Sequence, residues 1–162
     1  MVSKNLETAI NNQINAEFWS AYLYLSMSVH FANKGLSGLA NWFKVQFEEE
    51  QEHAIKFMNY LIERGNKVEL KPVEKVPTSW DSALAAFQDT LEHEKVVTGL
   101  IHNLVKIARE ENDYATENVL QWFVNEQVEE EGTAQGIVEK LKLIGSNTFG
   151  IYTIDKELGQ RS

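Results

Sequence analysis

Acidic side chains interrupt the apolar stripes of four long segments, and this feature constrains the fold more than any other. Apolar residues recur at steps of three and four along each segment, which is typical of a helix that buries one face. Near the middle of the stripes stand residue types that can ligate metals: Glu17, then Glu50 with His53, then Glu94, and finally Gln127 with Glu130. An unpaired carboxylate in an apolar interior costs on the order of several kcal/mol, whereas a domain of this size has a net stability of only about 5–15 kcal/mol. The pattern therefore predicts a shared compensating charge, for which a pair of metal ions is the best candidate.

The rest of the chain predicts an all-α fold in one domain over residues 1–162. Residues that favour helix are abundant, and the only two prolines, Pro72 and Pro77, fall in one stretch. Turn residues such as Gly35, Gly65 and Gly145 separate the periodic segments. We predict helices over about residues 5–33, 37–64, 81–110, 113–144 and 148–158, with a crossover loop over residues 65–80.

Loop lengths predict how these helices are connected. The first two helices, and likewise the third and fourth, are joined by a few residues, so each pair is expected to form an antiparallel hairpin. The loop over 65–80 spans roughly 50 Å when extended, and the second helix is roughly 42 Å long. The loop can therefore run the length of a four-helix bundle, and the alternation in residues 68–71 suits an extended strip with one side on the protein. The short fifth helix is not stable alone and must dock elsewhere.

The spacing of the acidic residues predicts a di-metal site. Glu50-x-x-His53 places two ligands on one helix face, and Gln127-x-x-Glu130 does the same on the fourth helix. A single Glu on an apolar stripe can be explained if its helix is turned about its axis so that the Glu faces solvent. Four such residues in phase are not explained in this way. Several carboxylates with one imidazole favour iron or manganese, and the absence of cysteine excludes thiolate ligands.

On these residues the chain resembles the ferritins over essentially its full length, and most closely the bacterial non-haem ferritins. The resemblance is carried by the long crossover, the short last helix and the residues Glu17, Tyr24, Glu50, His53, Glu94, Gln127 and Glu130. It implies a ferritin-like four-helix bundle that stores iron. Each subunit would oxidise Fe(II) to Fe(III) with O2 or H2O2 at a di-iron ferroxidase centre, and hydrated ferric oxide would be deposited in a hollow homo-oligomeric shell of 24 copies.

The resemblance also implies individual roles. One iron would be held by Glu17, Glu50 and His53. The other would be held by Glu50, Glu94 and Glu130, so that Glu50 bridges the two. Gln127 would be a polar group beside the irons, and Tyr24 would hydrogen-bond a ligand or supply an electron. The alternative for Tyr24 is a core tyrosine whose hydroxyl is satisfied.

A second acidic set precedes the first by one residue and comprises Glu49, Glu126 and Glu129. In bacterial ferritins the matching residues form a third iron site on the cavity side. The alternative is an ordinary run of solvated charges. His30, His93 and His102 have no partners at ligand spacing and are interpreted as surface or packing residues.

Two departures from related patterns refine the expectation. Bacterioferritin has Glu-x-x-His on both helices and binds haem through a methionine just before the first His. Here that position is Glu52, so no haem is expected, and Gln127-x-x-Glu130 makes the two iron sites unequal.

Composition restricts the possible partners and the alternatives. The net charge of −9 argues against nucleic acid, and no apolar run is long enough for a membrane span. The absence of cysteine suits a reducing compartment, so we expect a cytoplasmic protein. The rival functions are a di-metal peroxidase of rubrerythrin type, against which the missing cysteines count, and a scaffold that mineralises iron without catalysis.

Overall fold

The computed structural model describes residues 1–162, which form five helices and no strand. The helices are α1 (Lys4–Asn33), α2 (Ser37–Glu63), α3 (Ala83–Glu110), α4 (Tyr114–Ile144) and α5 (Thr148–Leu158). Every predicted helix end lies within two residues of the observed one. None of the helices has the combination of length and apolar character that a membrane crossing requires.

Side-chain caps explain why the helices begin where they do. The Asp113 carboxylate accepts a hydrogen bond from the backbone N–H of Thr116, which satisfies one of the free donors at the start of α4. The residues that cap α1, α3 and α5 in the same way are Ser3, Ser82 and Asn147.

The crossover, residues 64–82, runs along α1. Asn11 donates to the carbonyl of Lys67, and further along the helix Ser26 donates to the carbonyl of Pro77 at 2.6 Å. The loop therefore starts beside the first turns of α1 and ends near its last turns, so α3 begins at the end of the bundle where α1 stops. This topology confirms the four-helix bundle with one long crossover. Within the strip over residues 68–71, Val68 packs on the apolar core and the backbone N–H of Glu69 donates to Oδ1 of Asn11 at 2.7 Å, whereas Leu70, on the same side as Val68, is 66% exposed.

The core consists of two apolar clusters at opposite ends of the bundle. One contains Phe31, Phe43 and Phe87 together with residues of α5, and the other contains Leu6, Phe57 and further residues from all four long helices. Each long helix contributes to both clusters, and its ligand-type residues lie between the two contributions. The chain thus builds a polar layer across the middle of the bundle.

Helix α5 docks on its own chain through α2. Ile154 and Leu158 are buried in the first cluster, and the Asp155 carboxylate accepts from the backbone N–H of Leu39 at 2.9 Å. Gly38 makes this approach possible, because a Cβ there would lie 1.6 Å from the carbonyl oxygen of Asp155. The apolar tail therefore finds part of the partner surface it needs within the same subunit.

Candidate metal centre

The first group in the polar layer consists of Glu17, Glu50 and His53. All three side chains are buried, and one ligand atom from each lies within 4.8 Å of the others. The Oε2 atom of Glu50 lies 3.1 Å from Nδ1 of His53. Gln13 donates to Oε1 of Glu17 at 2.8 Å, whereas Oε2 of Glu17 has no hydrogen-bond partner. A buried carboxylate oxygen without a partner is unusual, and a bound cation would satisfy it.

The second group lies across the bundle on α3 and α4. The Tyr24 hydroxyl donates to Oε1 of Glu94, and Gln127 donates to Oε2 of Glu94 at 3.1 Å. Gln46 donates to Oε2 of Glu130 at 2.7 Å. Polar side chains from three helices therefore fix the two carboxylates in place.

The second group differs in shape from the first. The ligand atoms that the structure gathers within 4.8 Å of one another on this side belong to His53, Glu126 and Glu130. Both oxygens of Glu94 are occupied by the hydrogen bonds from Tyr24 and Gln127. The two halves of the centre are therefore unequal in their donors and in their geometry.

The electrostatics of the layer are those of acids that lack a counter-charge. Burial, followed by the neighbouring Glu50, raises the pKa of Glu17, and burial with the charges of Glu94 and Glu130 raises the pKa of Glu50. Burial also raises the pKa of Glu94 and, together with the charge of Glu94, raises the pKa of Glu130 to about 7. Cations that bind here would displace protons and supply the missing charge.

The three residues suggested as a third site have different surroundings. Oε2 of Glu49 accepts from Nη2 of Arg161 at 2.5 Å, and Glu126 lies with His53 and Glu130. The Glu129 side chain is exposed.

The remaining histidines lie apart from this centre or pack against it. His93 Nε2 lies 2.7 Å from the Ser20 hydroxyl and its ring packs on Trp19, so burial lowers its pKa to about 4. His30 packs edge-on against Trp80, and His102 is exposed.

Three polar residues of the site were not anticipated from the sequence: Gln13, Gln46 and Arg161. Gln13 and Gln46 each stand four residues before a ligand-type Glu, so their helical spacing placed them on the same face. Arg161 follows the last helix and has no spacing that relates it to α2.

The fold and the centre together define a class of protein, a helical bundle with carboxylates and an imidazole between two apolar clusters. The ferritin-like domain family matches residues 7–144. The chain is 49% identical over 161 residues to a bacterial non-heme ferritin of Bacteroides fragilis (strain 638R), and the alignment covers 99% of this chain and 100% of that protein. It is 39% identical over 162 residues to a bacterial non-heme ferritin of Staphylococcus aureus (strain USA300), with 100% and 98% covered.

A solved structure of an open pore ferritin from the hyperthermophilic archaeon Archaeoglobus fulgidus has a TM-score of 0.99 and 51% sequence identity, with 100% of both chains covered. The chain therefore belongs to the ferritins, and the resemblance seen in its sequence is confirmed.

Proposed function

We propose that this ferritin stores iron and that it oxidises Fe(II) at the centre formed by Glu17, Glu50, His53, Glu94 and Glu130. The observation that carries the proposal is the buried group of Glu17, Glu50 and His53, with its unpartnered Glu17 oxygen. These oxygen-rich donors suit iron, and a bridging Glu50 would let two ions share the layer, two per subunit.

The donors of the site suit oxidation of the bound ion. Anionic carboxylates stabilise Fe(III) more than Fe(II), because the attraction grows with the charge of the ion. Two ferrous ions side by side can give up two electrons together, which reduce O2 to H2O2 with uptake of two protons and avoid superoxide. Alternatively, H2O2 accepts the two electrons together with two protons and yields two molecules of water.

The surrounding residues have separate roles in this proposal. Tyr24 and Gln127 hold Glu94 through its two oxygens, and Gln46 holds Glu130, so the ligands are oriented before iron arrives. Gln127 is thus a partner of a ligand and not a ligand. Glu49, Glu126 and Glu129 remain candidates for a third, cavity-side ion.

We further propose that the subunits form a homo-oligomeric shell of 24 copies in which ferric oxide accumulates. Large apolar side chains on the outer side of α1 and the crossover favour association with further copies, because Tyr22 is 50% exposed and Val73 is 42% exposed. On α5, Phe149 and Tyr152 are also exposed. We retain the cytoplasmic location as a prediction.

Anaerobic loading with Fe(II) followed by exposure to air tests the proposal. We expect a fast oxidation phase that saturates near two irons per subunit and that Glu50→Ala abolishes while the particle size is unchanged. Glu52→Ala, an exposed acid on the same helix, is the matched control and should leave the fast phase intact.

Other outcomes would favour the rivals. Mineral formation without a fast phase would indicate a passive scaffold, and rapid peroxide turnover without mineral would indicate a peroxidase. A particle of one or two subunits would remove the storage claim whatever the centre does.

A further inference from the structure

The C-terminal tail places an arginine against the outer edge of the metal centre. After α5 the chain turns back along α2, and Asn41 donates to the carbonyl oxygen of Arg161 at 2.8 Å. The guanidinium of Arg161 packs over the ring of Trp42 at 4.4 Å from its centroid. The tail is therefore held on α2 at a defined position.

The guanidinium makes two contacts with the polar layer. Its Nη2 donates to Oε2 of Glu49 at 2.5 Å, and its Nη1 donates to Oε1 of Gln46 at 2.9 Å. The other end of the fully buried Gln46 amide donates to Glu130. Arg161 is thus connected through Gln46 to Glu130, which is a proposed iron ligand. It also pairs with the carboxylate of Glu49, which directly precedes the proposed ligand Glu50 in the sequence.

We propose that Arg161 occupies Glu49 in place of a third cation, so that the tail of the chain determines how strongly the cavity-side position binds metal. This inference rests on the proposed function, in which Glu49, Glu126 and Glu129 are candidates for that position. The guanidinium of Arg161 takes Oε2 of Glu49, so a metal ion has to compete for that oxygen. A metal ion placed next to the guanidinium is also repelled by its positive charge. A third ion therefore binds more weakly while Arg161 contacts Glu49.

The planar fork of arginine is important to this arrangement. One guanidinium nitrogen contacts Glu49 while the other contacts Gln46 and the carbonyl of Trp42. A lysine would keep the charge but has a single ammonium group, which cannot bridge these positions in the same geometry. The Glu49 carboxylate would then be held less firmly, although the electrostatic opposition to a third ion would persist.

Calorimetric titration of the iron-free shell with Zn²⁺ tests the inference, because zinc binds such donors without redox chemistry. In the wild type we expect two tight ions per subunit and a weaker third. Arg161→Ala should tighten the third by roughly three- to tenfold, in line with the removal of one partly exposed charge partner. The two tight ions should change by less than about twofold, and Arg161→Lys should give an intermediate third constant.

Two further variants make the test specific. Lys140→Ala removes a cation that pairs with Glu157 of α5 and should leave all three constants unchanged. Glu49→Gln combined with Arg161→Ala should abolish the tighter binding of the third ion, because the carboxylate for which Arg161 and the ion compete is then gone. Circular dichroism and particle size serve as checks that each variant retains its fold and assembly.

The outcomes separate this inference from the proposed function. Two results would overturn the role of Arg161 while two tight ions still bind. One is an affinity for the third zinc ion that is unchanged in Arg161→Ala, and the other is a tighter third ion that persists after the loss of Glu49. Failure of the wild type to bind any zinc tightly would instead count against the metal centre itself.

Discussion

At the scale of single residues, the centre is an arrangement of acids whose hydrogen-bond partners are unequal. Glu94 has donors on both of its oxygens, whereas Glu17 has a donor on only one. Oxygens that already accept hydrogen bonds are fixed in direction, and the Glu17 oxygen without a donor is free to turn towards a cation. Loss of a donor should therefore affect the protein differently from loss of a ligand.

Tyr24→Phe tests the contribution of one donor. The Tyr24 side chain is fully buried and its hydroxyl donates to Glu94, so the substitution leaves a buried carboxylate oxygen without a partner. We expect a loss of about 1–3 kcal/mol, seen as a melting temperature several degrees lower in the metal-free protein. Tyr114→Phe is the control, because that residue is 70% exposed and its removal should have no effect. Equal melting temperatures for the two variants would contradict the proposed role of the hydroxyl.

The acids of the centre should also make the stability of the metal-free protein depend on pH. The pKa of Glu130 is raised from 4.5 to about 7 by burial and by Glu94, so between these values the folded state holds more protons than the unfolded state. Stability should therefore fall as the pH rises from about 4.5 to about 7 and remain lower above that. Melting temperatures across this range provide the measurement.

Glu130→Gln should flatten this pH dependence, whereas the exposed neighbour Glu129→Gln should not. Glu49, Glu94 and His53 also act on the Glu130 carboxyl, so some slope should remain after the substitution. A wild-type profile that is level or rises with pH over this window would show that the acids are compensated in another way.

At the scale of helices, the sequence predicted the bounds well because the caps are local. Ser82, Asp113 and Asn147 stand just before the periodic segments, and their side chains act within three residues. The steps of three and four, which are also local, place Glu17, Glu50, Glu94 and Glu130 on the buried faces of their helices.

Contacts made by irregular backbone could not be predicted in this way. Arg161 reaches Glu49 only because α5 docks on α2, and no periodicity in the sequence encodes that docking. The alternation of Leu70 with Glu69 predicts that Leu70 rests on the bundle, yet its side chain is exposed.

Gly38→Ala tests the docking of α5. The added methyl would lie 1.6 Å from the carbonyl oxygen of Asp155, so α5 must move and its cap on Leu39 must weaken. We expect a lower melting temperature and faster amide hydrogen exchange in α5. Gly99→Ala is the matched control, since nothing lies within 4 Å of the new methyl there and alanine favours a helix interior by about 1 kcal/mol. A Gly38 variant as stable as the control would show that α5 does not need this close approach.

At the scale of the whole molecule, the exposed apolar residues Leu70 and Val73 of the crossover predict how copies associate. Leu70 and Val73 are 66% and 42% exposed, and Val73 lines a groove with Tyr22 and Phe47 of about 360 Å³. Removal of such side chains from water favours association by about 25 cal/mol per Å².

The double variant Leu70→Asp, Val73→Asp should therefore shift the particle from a shell towards smaller species. Size-exclusion chromatography with light scattering measures the shift, and an unchanged helical circular dichroism spectrum shows that the subunit fold survives. An intact shell in this variant would show that Leu70 and Val73 do not lie between copies.

The crossover has a further consequence for how the protein is made. Glu17, Glu50 and His53 belong to the α1–α2 hairpin, whereas Glu94 and Glu130 belong to α3–α4, and residues 64–82 separate the two. Contacts within each hairpin close shorter loops than contacts between the two hairpins, so we expect each hairpin to form before the two meet. A chain still emerging from the ribosome thus carries one half of the centre without the other. The chemistry proposed for this layer therefore requires that α3 and α4 have been made and have packed against the first hairpin.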